Sequence, residues 1–132
     1  MTSDELTAFA ERYAQAWCSQ SPESVAAFFA DDGSLTVNDG VPAVGRVAIA
    51  EIARGFMRAF PDMVVTMDDI SPHSDKTKFQ WTLSGTNTGP GGTQNRVRIS
   101  GYELWKIGDN LITESKGHFD SADYERQLSL KN

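Results

Sequence analysis

Three stretches of alternating character dominate the second half of the chain. In residues 76–87, Phe79, Trp81 and Leu83 fall on one face while Gln80, Thr82 and Ser84 fall on the other, the two-residue period of a half-buried strand. In residues 94–107, Val97, Ile99 and Trp105 oppose Arg98, Ser100 and Tyr102. A third stretch, 111–119, runs into Gly117-His118-Phe119-Asp120. The connecting segments, Asn87-Thr88-Gly89-Pro90-Gly91-Gly92-Thr93 and Gly108-Asp109-Asn110, are turn-formers and predict hairpins. A further strand is expected over Met63 to Ile70, rich in Val and Thr and closed by the turn Ser71-Pro72-His73-Ser74-Asp75.

The first half has a helical period. Leu6, Phe9, Ala10, Tyr13, Ala16 and Trp17 recur at spacings of three and four, behind Thr2 and Glu5 in a capping-box arrangement, and predict a helix to about Ser19. Ser21-Pro22 opens a short second helix anchored by Val25, Phe28 and Phe29. Asp31-Asp32-Gly33 reads as a turn, Ser34 to Val37 as a short strand ending in Asn38-Asp39-Gly40. A third helix is expected from about Val47 to Phe60, stopped by Pro61. Ser121 to Leu130 predicts a helical turn or two. The order describes an α+β domain: a curved antiparallel sheet with helices on one face, a shape able to enclose a small-molecule pocket.

Length and composition narrow this further. At 132 residues, 39% hydrophobic and 23% charged, the chain is expected to form one globular domain over residues 1–132. Twelve basic against eighteen acidic side chains give a net charge of -6, which repels phosphate backbones and anionic lipid, so neither nucleic acid nor a membrane is an expected partner. Cys18 has no second cysteine to pair with, and His73 and His118 match no zinc-ligand spacing, so no metal site is expected. The N-terminal residues lack the basic and apolar regions of a signal peptide, which reads as a cytoplasmic location. The Gly85–Gly92 segment lacks a Walker lysine, which argues against phosphate binding.

Specific strings carry a family resemblance. Arg12-Tyr13 through Phe28-Phe29-Ala30-Asp31-Asp32 resembles the opening of ketosteroid isomerases, and Trp81-Thr82-Leu83-Ser84-Gly85-Thr86-Asn87-Thr88-Gly89-Pro90 is similar to a WTLxGTHTGP string common in SnoaL-like proteins. With the element order, these strings resemble the nuclear-transport-factor-two-like superfamily, specifically its SnoaL-like polyketide cyclase and ketosteroid isomerase-like branch. The resemblance implies a cone-shaped α+β fold, a homodimer formed through the sheet, and cofactor-independent chemistry beside a carbonyl. It places Tyr13 where the isomerases hold an enolate-stabilising tyrosine and Asp39 near their proton-shuttling aspartate. Their second, protonated aspartate falls close to Gly101. The tryptophan-aspartate pair of the cyclase branch falls on Lys116-Gly117, and Asp120 matches a second acid three residues further on.

The candidate catalytic residues are therefore Tyr13, Asp39, His118 and Asp120. Asp39 is either a general base whose pKa rises at an aromatic-walled rim or one member of an Asx-type turn. Tyr13 is either an oxyanion donor or a core tyrosine bonded to a backbone carbonyl. His118 and Asp120 share a strand face and form either a proton-transfer pair or part of a solvated surface with Glu114 and Lys116. Trp17, Phe56, Phe60, Trp81, Tyr102 and Trp105 are the candidate ligand-binding walls, for an apolar small molecule that is polycyclic or polyketide-like. No cofactor is expected. Two functions fit: a cofactor-independent isomerase, cyclase or dehydratase, or a non-catalytic binding or dimerisation module on the same scaffold.

Overall fold

A computed structural model describes residues 1–130. Helix α1, Ser3–Cys18, starts at the expected capping box: the Thr2 hydroxyl accepts from the Glu5 N–H and the Glu5 carboxylate from the Thr2 N–H, both at 3.1 Å. Two orphan donors of the first turn are thereby satisfied. Helix α2, Pro22–Ala26, is followed by β1, Phe29–Val37, β2, Ala43–Val44, α3, Arg46–Ala59, β3, Val64–His73, β4, Lys76–Thr86, β5, Arg96–Gly108, β6, Leu111–Phe119, and α4, Ser121–Ser129.

The strands form one curved, unclosed sheet in the order β2-β1-β6-β5-β4-β3. Its pairings are antiparallel except for β1 with β6, which run parallel, so the expected antiparallel sheet is mixed at this one seam. The first strand is also longer than its composition suggests. Asp31-Asp32-Gly33 reads as a turn in sequence but is carried inside β1 as an irregularity in register against β6. Asp31 is held by Arg46 at 2.8 Å and the Gly33 carbonyl accepts from the Gly45 N–H, so tertiary partners keep an intrinsically turn-like segment extended. Phe28 and Phe29 leave the second helix for the same reason, the Phe28 carbonyl accepting from Ile112 at 2.9 Å.

The core lies between the sheet and α1 and α3. The Tyr13 ring packs edge-on against Phe79 and Trp105 at 5.3 and 5.2 Å, and those two rings stack on each other at 4.9 Å. The hairpin between β4 and β5 is fastened to the end of α3, where the Asn87 amide donates to the Ala59 carbonyl at 3.1 Å. Gly89 touches the Arg58 backbone so closely that any Cβ would overlap its carbonyl oxygen, which explains that glycine in the string. Helix α4 packs on the sheet through the Tyr124 ring, which meets Phe60 and Phe119. Among the described residues, no helix is long and apolar enough to cross a membrane.

Candidate active site

Strand β5 turns Val97, Ile99, Glu103 and Trp105 toward the helices, and all four are buried. An acid thus stands in an otherwise apolar row. Glu103 is 7% exposed. Its Oε1 accepts from the Ser115 hydroxyl at 2.6 Å, the Tyr13 hydroxyl at 2.9 Å and the Trp105 indole N–H at 3.1 Å. Its Oε2 has only the same Tyr13 hydroxyl, at 3.2 Å. One carboxylate oxygen is saturated with donors and the other is nearly free.

The electrostatics follow from this geometry. Burial pushes the Glu103 pKa up, while the hydrogen bonds from Ser115, Trp105 and Tyr13, in that order, hold it back. Burial and then the Glu103 charge push the Tyr13 phenol well above its ordinary range, so its proton stays in place as a donor. A carboxyl raised in this way and anchored by one oxygen can take and return a proton through the other.

Glu103 lines an apolar cavity of about 60 Å³ that is open on one side. Trp17, Phe56, Trp81 and Phe119 supply aromatic walls, and Gly117 lies opposite the Glu103 side chain. Of the residues described along the wall, Glu103 alone is ionisable.

The structure distributes the sequence candidates over two places. Tyr13 is fully buried with its hydroxyl on Glu103, not on a backbone carbonyl. Trp17, Phe56 and Trp81 line the cavity, whereas Phe60 and Trp105 are fully buried in the core behind it. Asp39, Tyr102, His118 and Asp120 line a separate, open depression. Tyr102 and His118 are paired neighbours on β5 and β6, their rings 5.1 Å apart, and alternation turns them away from Glu103 and Gly117. Asp39 is exposed in the turn after β1, whose geometry is fixed by Asn38: its side chain accepts from the Phe119 N–H at 2.9 Å. Asp120 is the N-cap of α4, accepting from the Asp123 N–H at 3.0 Å. Tyr13 and Asp39 are not brought to one cavity.

Sequence reasoning passed over Glu103, although a signal was present: it shares the parity of Val97, Ile99 and Trp105. Gly101, where the resemblance placed a second aspartate, has no room for one. A Cβ there would run into the His118 carbonyl oxygen and come within 2.7 Å of the Trp81 ring. The buried acid stands two residues further along the same face.

A curved, unclosed six-strand sheet packed against N-terminal helices defines an α+β fold of the nuclear-transport-factor-two-like class. Residues 7–128 match the SnoaL-like polyketide cyclase family, and the chain belongs to it. No curated protein matches the chain. Among solved structures, TsrD from Streptomyces laurentii superposes with a TM-score of 0.83 at 19% identity, covering 98% of both chains. A hypothetical protein with a ketosteroid isomerase-like fold from Catenulispora acidiphila, in complex with trimethylamine, gives 0.80 at 18% identity, covering 99% of this chain and 96% of its own. A phenazine biosynthesis-related protein from Pseudomonas aeruginosa gives 0.75 at 15% identity, covering 100% and 88%. At these identities the likeness shows the fold.

Proposed function

We propose that this protein is a cofactor-independent isomerase or cyclase that moves a proton beside a ligand carbonyl, with Glu103 as the acid–base group. The observation that carries this reading is the asymmetric Glu103 carboxyl, three donors on one oxygen and the other nearly free, in an apolar wall. Desolvation brings its basicity toward working pH, and positioned acid–base groups contribute about 10²–10⁴ in rate. Tyr13, Ser115 and Trp105 position the carboxyl. A cavity of about 60 Å³ takes one end of a polycyclic or polyketide-like ligand, with the remainder lying through the open side. The family membership supports the cyclase or isomerase type of scaffold. The reading includes a homodimer through the sheet's outer face, where Thr82 bonds Asp68 and Ser100; sedimentation at the mass of one chain would remove that part.

The test is exchange of the α-protons of small cyclic ketones in deuterium oxide, followed by NMR. Wild type should accelerate exchange and Glu103→Gln should lower the rate at least about 100-fold. Equal rates in the two proteins would overturn the assignment. The non-catalytic binding module is the second reading, favoured by the Tyr13 hydroxyl being already committed to Glu103. It predicts ligand binding with no exchange in either protein.

A further inference from the structure

The two parallel strands carry the chain out of the cavity side by side. Val37 of β1 and Gly117 of β6 are paired, and both line the cavity. The residues that follow them, Asn38 and Asp39 on one strand and 118–121 on the other, line the open depression. The two chain segments are tied to each other there: the Asn38 N–H donates to the Gly117 carbonyl at 2.8 Å, and the Asn38 side chain accepts from the Phe119 N–H at 2.9 Å. The cavity, about 60 Å³, and the depression, about 460 Å³, are therefore neighbours along one seam.

Among the described residues, Phe119 alone lines both hollows. It is half-buried, and its ring stands 6.0 Å from Trp81 in the cavity wall and 5.6 Å from Tyr124 of α4. Its partner on β5 is Gly101, where a Cβ would come within 2.7 Å of the Trp81 ring and 3.0 Å of the Phe119 Cβ. The missing side chain leaves the room in which the two rings meet. The hollows differ in chemistry. The cavity wall is apolar around Glu103, whereas the depression holds the exposed Asp39 carboxylate, the His118 imidazole, and Asp120, one of whose oxygens caps α4. Carboxylate acceptors suit a ligand hydroxyl, which donates.

We infer that the cavity and the depression are two subsites of one elongated site and that Phe119, standing between them, is its specificity-determining residue. The substrate class is then a two-ended carbonyl compound, with an apolar ring bearing the carbonyl in the Glu103 cavity and a hydroxylated end on the Asp39 side of Phe119. This deepens the proton-transfer reading and rests on it for which end carries the carbonyl. The bulk of the Phe119 ring sets how wide a molecule can pass from one subsite to the other. A single-ring ligand stays within the cavity and is indifferent to that width.

The test uses cyclohexanone, phenylcyclohexanone and hydroxyphenylcyclohexanone, the last two with substituent and carbonyl at opposite ends, in NMR titrations of the whole chain. In the wild type, cyclohexanone should move the Gly117 amide resonance and leave those of Asp39 and His118 in place, while the longer ketones move all three. Hydroxyphenylcyclohexanone should bind about tenfold tighter than phenylcyclohexanone, the ratio for one hydrogen bond to a charged acceptor, and Asp39→Ala should reduce this to within about twofold. Phe119→Ala should raise the affinity for phenylcyclohexanone relative to cyclohexanone by about fivefold, and Phe119→Trp should lower it by a similar factor. A ring that merely touched the ligand would give the opposite signs. Should these variants not fold, the wild-type resonances decide. Longer ketones that leave Asp39 and His118 unmoved, ratios that stay constant or change in the opposite sense, or failure of the wild type to bind any of the three would overturn the inference. Exchange measured with Glu103→Gln keeps the two proposals apart. Resonances moved in both hollows without exchange in either protein retain the two subsites and remove the acid–base role. Glu103-dependent exchange with changes confined to the cavity removes the second subsite alone.

Discussion

The Tyr13 hydroxyl donates to the Glu103 carboxyl at 2.9 Å across 90 residues of chain, tying the middle of α1 to the middle of β5. The same hydroxyl reaches both carboxylate oxygens, while Ser115 and Trp105 donate to Oε1 alone. Tyr13→Phe removes it while keeping the ring among Phe28, Phe79 and Trp105. Stability should fall by about 1–3 kcal/mol in urea unfolding, and the acid limb of the exchange-rate profile should move to higher pH, because a donor that stabilises the ionised carboxylate is gone. A profile that does not move would show that Tyr13 does not govern this carboxyl.

Ser115→Ala should act in the same direction and more strongly. Its hydroxyl makes the shortest bond to Glu103, at 2.6 Å, and is the foremost of the groups holding that pKa down. The acid limb should therefore shift further than in Tyr13→Phe, read from the same profile. A smaller shift would reverse the assigned order.

The raised carboxyl also makes a linkage prediction. Between its ordinary value of 4.5 and its higher value in the folded protein, Glu103 keeps a proton that the unfolded chain releases. Its contribution to stability is complete below 4.5 and is lost as pH rises through the folded-state value. Repulsion within a chain of net charge -6 also changes with pH, so the comparison is with Glu103→Gln, which cannot titrate there. The difference in unfolding free energy between the two proteins should shift against the wild type as pH rises through this window. A constant difference would mean that the pKa is not raised.

Two glycines make a contrasting pair. At Gly117 a Cβ meets only ordinary contacts, the nearest at 3.5 Å from the Thr36 carbonyl and 3.6 Å from the Glu103 side chain. Gly117→Ala should fold normally and weaken binding of small cyclic ketones by narrowing the cavity beside the carboxyl. Gly101→Ala should cost about 1–3 kcal/mol through overpacking under Trp81 and against the His118 carbonyl. Thermal unfolding separates them, and a stable Gly101→Ala protein would contradict the packing described.

Asp39→Asn and His118→Gln test the open depression. Both residues lie outside the Glu103 cavity, so exchange rates should stay within about twofold of wild type if Glu103 is the base, well short of the loss expected for a removed acid–base group. A loss comparable to Glu103→Gln would instead place the chemistry on the depression.

Local periodicity determined much of this molecule. The apolar spacing of α1 and α3, the Thr2–Glu5 cap and the alternation of β4, β5 and β6 were readable because each depends on neighbours within a few residues. The family strings made the fold class readable as well. The parallel seam between β1 and β6 was not: Asp31-Asp32-Gly33 is turn-like by composition, and Arg46 on Asp31 and the Gly45 N–H on the Gly33 carbonyl hold it in a strand.

The site divides along the same line. The sequence places Glu103 on a buried face but says nothing of what surrounds it. Only the tertiary structure brings Tyr13, Trp105 and Ser115 to one carboxylate oxygen, puts Trp17 in the wall of the same cavity, and leaves Asp39 and Asp120 on an exposed turn and a helix cap. Periodicity encodes which side of an element faces inward, while the partners of a buried charge are chosen by strand register and helix packing, which are not local.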